Sequence, residues 1–279
     1  MKVLVTCPDL AGDLFYALPC IMQLGRHLEA SIDLQAAAKP ALPLLRQQPY
    51  LHLAFGPTNR PGEGGRPFAS PPWRMPPRQA YDAVYHLGVY HTLCPNDIFA
   101  MHIGELYFRN LERGYGVELP RNLGERTLFA PSPTPEDCIV FHGLGGTFQR
   151  YAAAELLRAL PAFWAALFAR APLPVVAVCG PGERAHYDWF RGPVVESPDM
   201  LATAGLLLRA RCFVGVESAP AALANGLKVP RLVLSYFGNA YPTGQNGASF
   251  SLDEPLEAIE AKLRAVLALP RPTSEEACG

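Results

Sequence analysis

The sequence predicts an α/β protein built of two facing doubly wound, Rossmann-like domains with a cleft between them, and three observations carry that expectation. Short apolar runs alternate with amphipathic stretches along most of the chain, which is the pattern of strand-then-helix units. Several of the runs stop at a glycine or a carboxylate, as strand ends do where they open onto a crevice. The segment Glu118–Asp137, holding Pro120, Pro131, Pro133 and Pro135, interrupts the alternation. It separates an N-terminal domain, 1–125, from a C-terminal domain, 136–267, with a tail at 268–279.

Composition narrows the class of function. Of 279 residues, 49% are hydrophobic and 18% charged, the balance of a well-buried globular chain. The formal net charge is −1. With no block of like charges, a dedicated duplex nucleic-acid binder is disfavoured. Seven cysteines stand singly, as Cys7, Cys20, Cys94, Cys138, Cys179, Cys212 and Cys278. Without a CxxC pair they indicate a reducing compartment and no structural zinc. The opening Met1-Lys2-Val3-Leu4-Val5 is too short for a signal peptide's apolar region, and no run reaches membrane-spanning length. The expectation is a soluble cytoplasmic protein, with peripheral membrane contact left open.

In chain order, Lys2–Thr6 is a strand. Cys7-Pro8-Asp9-Leu10-Ala11-Gly12-Asp13 leads into a helix with Leu14, Leu18, Ile21, Met22 and Leu28 at helical spacing and a kink at Pro19. Gly12-Asp13 therefore lies at a strand-to-helix junction on the carboxyl side of the sheet, where open α/β sheets place ligands. A carboxylate there serves equally as a general base or as a first-turn residue favoured by the helix dipole. Ser31–Ala36 reads as a strand, Ala41–Arg46 as a short helix and Leu51–Phe55 as a third strand. Gly56–Arg78, dense in Gly, Pro and Arg, is either a flap over an acceptor or a surface insertion. Tyr81–Leu87 is a fourth apolar run, and Pro95–Arg113 a helix. His86, His91 and His102 show no metal spacing at i and i+4. They read as acceptor contacts or as core histidines, the second being preferred.

The second half opens with the strand Cys138–Phe141, which runs into His142-Gly143-Leu144-Gly145-Gly146-Thr147. A glycine-rich turn of this kind brings backbone N–H groups close to a phosphate, although it matches neither the P-loop nor GxGxxG. Tyr151–Arg170 is a helix with Leu157, Leu160, Trp164 and Leu167 on one stripe, bent at Pro161. Then come the strand Val175–Cys179 ending in Gly180-Pro181-Gly182-Glu183, a short helix through Tyr187 and Phe190, an edge strand Pro193–Glu196 and a helix Met200–Ala210. The strand Cys212–Val216 stops at Glu217. Ser218 stands where an N-cap belongs, Pro220 falls in the first turn, and Asn225-Gly226 is a helix stop. That unit offers helix N–H groups beside a carboxylate, a place suited to a phosphate with a sugar hydroxyl nearby. Val229–Leu234 is a further strand and Ser235–Pro242 a glycine-bearing loop. Asp253 is expected to cap a last helix with Pro255 in its first turn, and the tail from Pro270 to be frayed.

Four places resemble the lipopolysaccharide heptosyltransferase family, glycosyltransferase family nine. Gly12-Asp13-Leu14 with Pro19 resembles its Gly-Asp-x-x-x-x-x-Pro segment. Phe141-His142-Gly143 up to Tyr151 is similar to its phosphate loop, and Val176–Gly182 to its apolar strand leading to Gly-Gly-x. Val214-Gly215-Val216-Glu217-Ser218 to Pro230 resembles its Gly-x-Asp-Ser-Gly-x-x-His signature. Here Glu217 replaces the Asp, Ala219 the Gly and Ala222 the His, and Gln149-Arg150-Tyr151 stands where Lys-Arg-Trp is usual.

The resemblance implies the GT-B fold and a metal-independent, inverting glycosyl transfer from a nucleotide-diphosphate sugar to an acceptor hydroxyl, the nucleotide sugar being a co-substrate and no cofactor being required. Asp13 would be the general base. His142, Gly143, Gly145, Gly146, Thr147, Arg150, Gly180, Glu217, Ser218 and Ala219 would line the donor, with Glu217 on its hydroxyls. Gly12, His86 and His91 would face the acceptor, a glycan or a small molecule. A sugar-nucleotide epimerase of the same fold and a non-catalytic nucleotide-sugar-binding partner are the alternatives. A single-stranded nucleic acid could reach Arg60, Arg66, Arg74 and Arg78 with Trp73 as a stacking platform, but the neutral overall charge argues against it.

Overall fold

The computed structural model describes residues 1–56, 80–88, 102–131, 134–145, 149, 152–235 and 246–272. The 57–79 loop with its arginines and Trp73, His91, Cys94, residues 95–101, Gly146, Thr147, Arg150, Tyr151, the 236–245 segment and Cys278 lie outside the described residues. The chain divides into two compact units, Met1–Thr127 and Leu128–Gly279.

In the first unit β1 (Lys2–Cys7), β2 (Ser31–Ala36), β3 (Leu51–Phe55) and β4 (Ala83–His86) form a four-stranded sheet in the order β3-β2-β1-β4, every pairing parallel. The near-continuous apolar run of β1 follows from its place inside that sheet, with Val3, Leu4 and Val5 all at 0% exposure. Helix α1 (Ala11–Leu28) runs through Pro19 as one element and returns the chain to β2. A 3₁₀ turn, Lys39–Ala41, leads into α2 (Leu42–Leu45), and α3 (Ile103–Tyr115) packs on α1. His102, preferred above as a core histidine, is instead the N-cap of α3, its Nδ1 accepting the Gly104 N–H at 2.9 Å. Part of the proline-rich segment is pinned to this unit, since Glu125 accepts from Gln23 Nε2 at 3.1 Å and from Arg26 Nη1 at 2.8 Å.

In the second unit β5 (Ile139–His142), β6 (Val175–Cys179), β7 (Val194–Glu196), β8 (Cys212–Val216), β9 (Arg231–Leu234) and β10 (Gly247–Phe250) form a six-stranded parallel sheet in the order β10-β9-β8-β5-β6-β7. Helices α4 (Ala154–Phe168), α5 (Met200–Arg209), α6 (Ala219–Gly226) and α7 (Leu256–Ala268) connect or flank the strands. The core gathers around Phe141, whose ring lies 4.9 Å from Trp164 and 4.7 Å from Phe168. Cys7, Cys20, Cys138, Cys179 and Cys212 are all free and buried, and the thiols of Cys7 and Cys179 donate to Asp9 Oδ2 and to the Val195 carbonyl, each at 3.8 Å.

Four expectations need correction. The short helix through Tyr187 and Phe190 is a single 3₁₀ turn, Arg184–Tyr187. Strand β10 was not expected, because Gly247-Ala248-Ser249 lacks the β-branched or aromatic residues that mark a strand. Asp253 does not cap α7; Pro255 occupies the N-cap position, and Glu254 accepts the Ser251 N–H at 3.0 Å. Of the tail expected to be frayed, Arg271 is held, donating to the Glu136 carbonyl at 3.1 Å and pairing with Asp137, while residues 273–279 lie outside the described residues. Among the described residues no helix is long and apolar enough to cross a membrane.

Candidate functional site

The strand order creates one reversal point in each sheet. In the second unit, strands counted in chain order run third, second, first, fourth, fifth, sixth, so the connections diverge between β5 and β8. Open α/β sheets bind ligands outside the carboxyl ends of such a pair. The residues there are His142-Gly143-Leu144-Gly145 after β5 and Glu217-Ser218 after β8.

Those two segments touch. A Cβ on Gly145 would lie 2.6 Å from the Glu217 carbonyl oxygen and 3.1 Å from Ser218 Cβ, so only glycine allows the approach. Below them His142 pairs with Gly215, where a Cβ would meet the His142 carbonyl oxygen at 2.3 Å. His142 is 6% exposed, and among the described residues its buried Nδ1 has no hydrogen-bond partner. Burial pulls its pKa down to about 4, so the ring is neutral near pH 7.

Ser218 caps α6, its Oγ accepting the Ala221 N–H at 3.4 Å while its carbonyl accepts that of Ala222. Pro220 has no N–H, which leaves Ala219 as the backbone donor of that helix terminus. Glu217 accepts the Ser235 hydroxyl at 2.6 Å, a partner that sequence reading passed over because Ser235 follows a different strand, β9. Two expected phosphate donors are otherwise engaged. The Gly143 N–H goes to the Tyr187 hydroxyl at 3.0 Å, and the Gly180 N–H to Glu183 Oε2 at 2.8 Å. Beside the turn an open cavity of about 380 Å³ is walled by Gly143, Leu144, Gln149, Leu160, Trp164 and Trp189.

In the first unit the reversal lies between β1 and β4. Thr6 Oγ1 and His86 Nδ1 lie 2.7 Å apart across that pair, and the His86 N–H donates to the Tyr115 hydroxyl at 2.7 Å. The helix begins at Ala11, so Gly12 and Asp13 belong to the first turn of α1 rather than to the junction before it. The junction carboxylate is Asp9, 4% exposed, which accepts the Tyr107 hydroxyl at 2.7 Å. Burial, reinforced by Asp9, Cys7 and Asp13, drives the Tyr107 phenol well above its usual pKa. Among the described residues no cluster of three His, Cys, Asp or Glu side chains is arranged to hold a metal ion.

No protein-family model matches the chain, and no curated protein resembles it in sequence. Solved structures do resemble it. A glycosyl transferase family 9 protein from Veillonella parvula shares 12% identity at a TM-score of 0.64, over 95% of this chain and 97% of that one. The ADP-heptose lipopolysaccharide heptosyltransferase II of E. coli shares 15% identity at a TM-score of 0.61, over 96% of this chain and 98% of that one. The E. coli heptosyltransferase WaaC, solved with ADP, shares 12% identity at a TM-score of 0.60, over 95% of this chain and 100% of that one. At identities this low the likeness establishes architecture, and the chain has the α/β GT-B fold of the family 9 heptosyltransferases over nearly its whole length.

Proposed function

We propose that this protein is a nucleotide-sugar-dependent glycosyltransferase, heptosyltransferase-like in its use of a hexosyl or heptosyl diphosphate donor and metal-independent in its chemistry. The observation that carries the reading is the β5/β8 reversal point, where a glycine turn, a capped helix terminus and an oriented carboxylate converge. The first two suit a diphosphate and the third a sugar or ribose hydroxyl. That the neighbour WaaC was solved with ADP supports a nucleotide in this kind of fold.

In this reading the acceptor hydroxyl attacks the anomeric carbon from the face opposite the diphosphate. The new C–O bond forms as the bond from carbon to the diphosphate oxygen breaks, the hydroxyl proton passes to the Asp13 carboxylate, and the nucleoside diphosphate leaves with the electron pair. Configuration at the anomeric carbon inverts. Negative charge developing on the leaving group is met by the Ala219 N–H, by the positive end of α6 and by Arg150. Gly12 and His86, on the first unit, contact the acceptor, a glycan or small molecule.

The test is thermal stabilisation by ADP-, UDP-, GDP-, CMP- and dTDP-sugars in the presence of EDTA. A ligand at 100 times its Kd stabilises by about 2.7 kcal/mol. A shift with one nucleotide class is expected, together with release of that nucleoside diphosphate that Asp13→Asn suppresses at least a hundredfold. Tight donor binding with turnover untouched by Asp13→Asn contradicts the catalytic assignment.

A further inference from the structure

The turn after β5 is held at both ends. At its near end Gly143 donates its N–H to the phenolic oxygen of Tyr187 at 3.0 Å. Tyr187 ends the 3₁₀ turn in the β6–β7 connection, is 2% exposed, and places its ring 6.1 Å from that of Phe141. Burial raises its phenol pKa, and the hydrogen bond from the Gly143 N–H works against that rise. In an anion-binding turn such an N–H points at the ligand, whereas here it points into the core at a neutral hydroxyl. At the far end the Gly145 backbone rests on Glu217 and Ser218, too close for any side chain.

We propose that Tyr187 is a positioning residue for the donor's diphosphate: by holding the Gly143 N–H it fixes the bend that sets Gly145 against Glu217 and Ser218. The diphosphate is then met by the Gly145 and Ala219 N–H groups, not by Gly143. The inference rests on the glycosyltransferase reading and deepens it. A purely structural role would weaken every ligand alike through loss of fold. A positioning role separates diphosphate from nucleoside, because Tyr187 acts on the turn alone.

Tyr187→Phe keeps the ring and removes the accepting oxygen. Wild type and variant are titrated with the nucleoside diphosphate of the class that stabilises the wild type, and with the matching unphosphorylated nucleoside. The variant is expected to bind the nucleoside diphosphate about tenfold more weakly, the effect of leaving the buried Gly143 N–H unpaired, with nucleoside affinity unchanged. Equal diphosphate affinity in both proteins, or equal losses for both ligands, overturns the inference and leaves the glycosyltransferase reading in place. A wild type that binds no nucleoside diphosphate removes both.

Amide hydrogen exchange on the wild type needs no variant to fold. The Gly143 amide is expected to be protected before ligand is added, with the Gly145 and Ala219 amides gaining protection only with the nucleoside diphosphate. Gain of protection at Gly143 on binding contradicts the inference.

Discussion

Ser235 donates its hydroxyl to the Glu217 carboxylate at 2.6 Å, joining the residues that follow β9 and β8. Val216 and Leu234 are register partners in those parallel strands, so the two side chains leave the sheet side by side. A charge-assisted bond this short orients the carboxylate before any ligand arrives. The fold itself therefore sets the orientation of the carboxylate in the proposed donor site.

Ser235→Ala is expected to weaken nucleotide-sugar binding roughly tenfold, about 1.4 kcal/mol, by releasing Glu217. Ser235→Thr keeps the hydroxyl and most of the affinity. Isothermal titration calorimetry measures both, and an unaltered Kd in Ser235→Ala removes Ser235 from the site.

Two glycines give opposite outcomes. Gly145→Ala drives a Cβ to 2.6 Å from the Glu217 carbonyl oxygen, a backbone atom that cannot rotate away. Donor affinity is expected to fall more than tenfold, with a stability loss of about 1–3 kcal/mol. Gly205 lies inside α5, and a methyl group there would meet nothing within 4 Å. Gly205→Ala is expected to stabilise by about 0.5–1 kcal/mol, read as a higher Tm.

His142 makes stability depend on pH. Burial lowers its folded-state pKa from 6.5 to about 4, so between those values the unfolded chain binds a proton that the folded chain refuses. Stability therefore falls as pH drops through that window, by up to about 3 kcal/mol. His142→Phe is expected to flatten the pH 6.5 to 4 segment of a chemical denaturation series. An unchanged slope contradicts the assignment.

Asp33 acts lower on the scale. Burial opposes its ionisation, but hydrogen bonds from His52 at 2.7 Å and Tyr81 at 2.9 Å, and Lys2 at 3.3 Å, hold its pKa below the usual 3.8. A depressed carboxylate stabilises above its unfolded pKa, and that contribution is lost as pH falls through the folded value. Asp33→Asn is expected to lower Tm at pH 7 and to lessen the further loss below about pH 4, followed by circular dichroism.

What the sequence makes legible is what local chemistry determines. The apolar run before Glu217, the Ser218 cap, Pro220 in the first turn and the stop at Gly226 each follow from neighbours a few residues away, and the structure has them all. The missed features depend on distant partners. Ser235 meets Glu217 across 18 positions, and Tyr187 meets Gly143 across 44. Asp9 reads as a turn residue after Pro8, until α3 brings Tyr107 onto it from 98 positions away. Strand β10 exists because β9 offers it a ladder, not because its own small residues favour extension.

Binding of a nucleotide sugar at the β5/β8 reversal point is tested by calorimetric titration of the wild type and Glu217→Gln with the nucleotide sugar that gives the largest thermal shift. Saturable one-to-one binding by the wild type and at least tenfold weaker binding by Glu217→Gln are expected. Equal affinity in the two proteins, or no binding by the wild type to any of the nucleotide sugars, would contradict it.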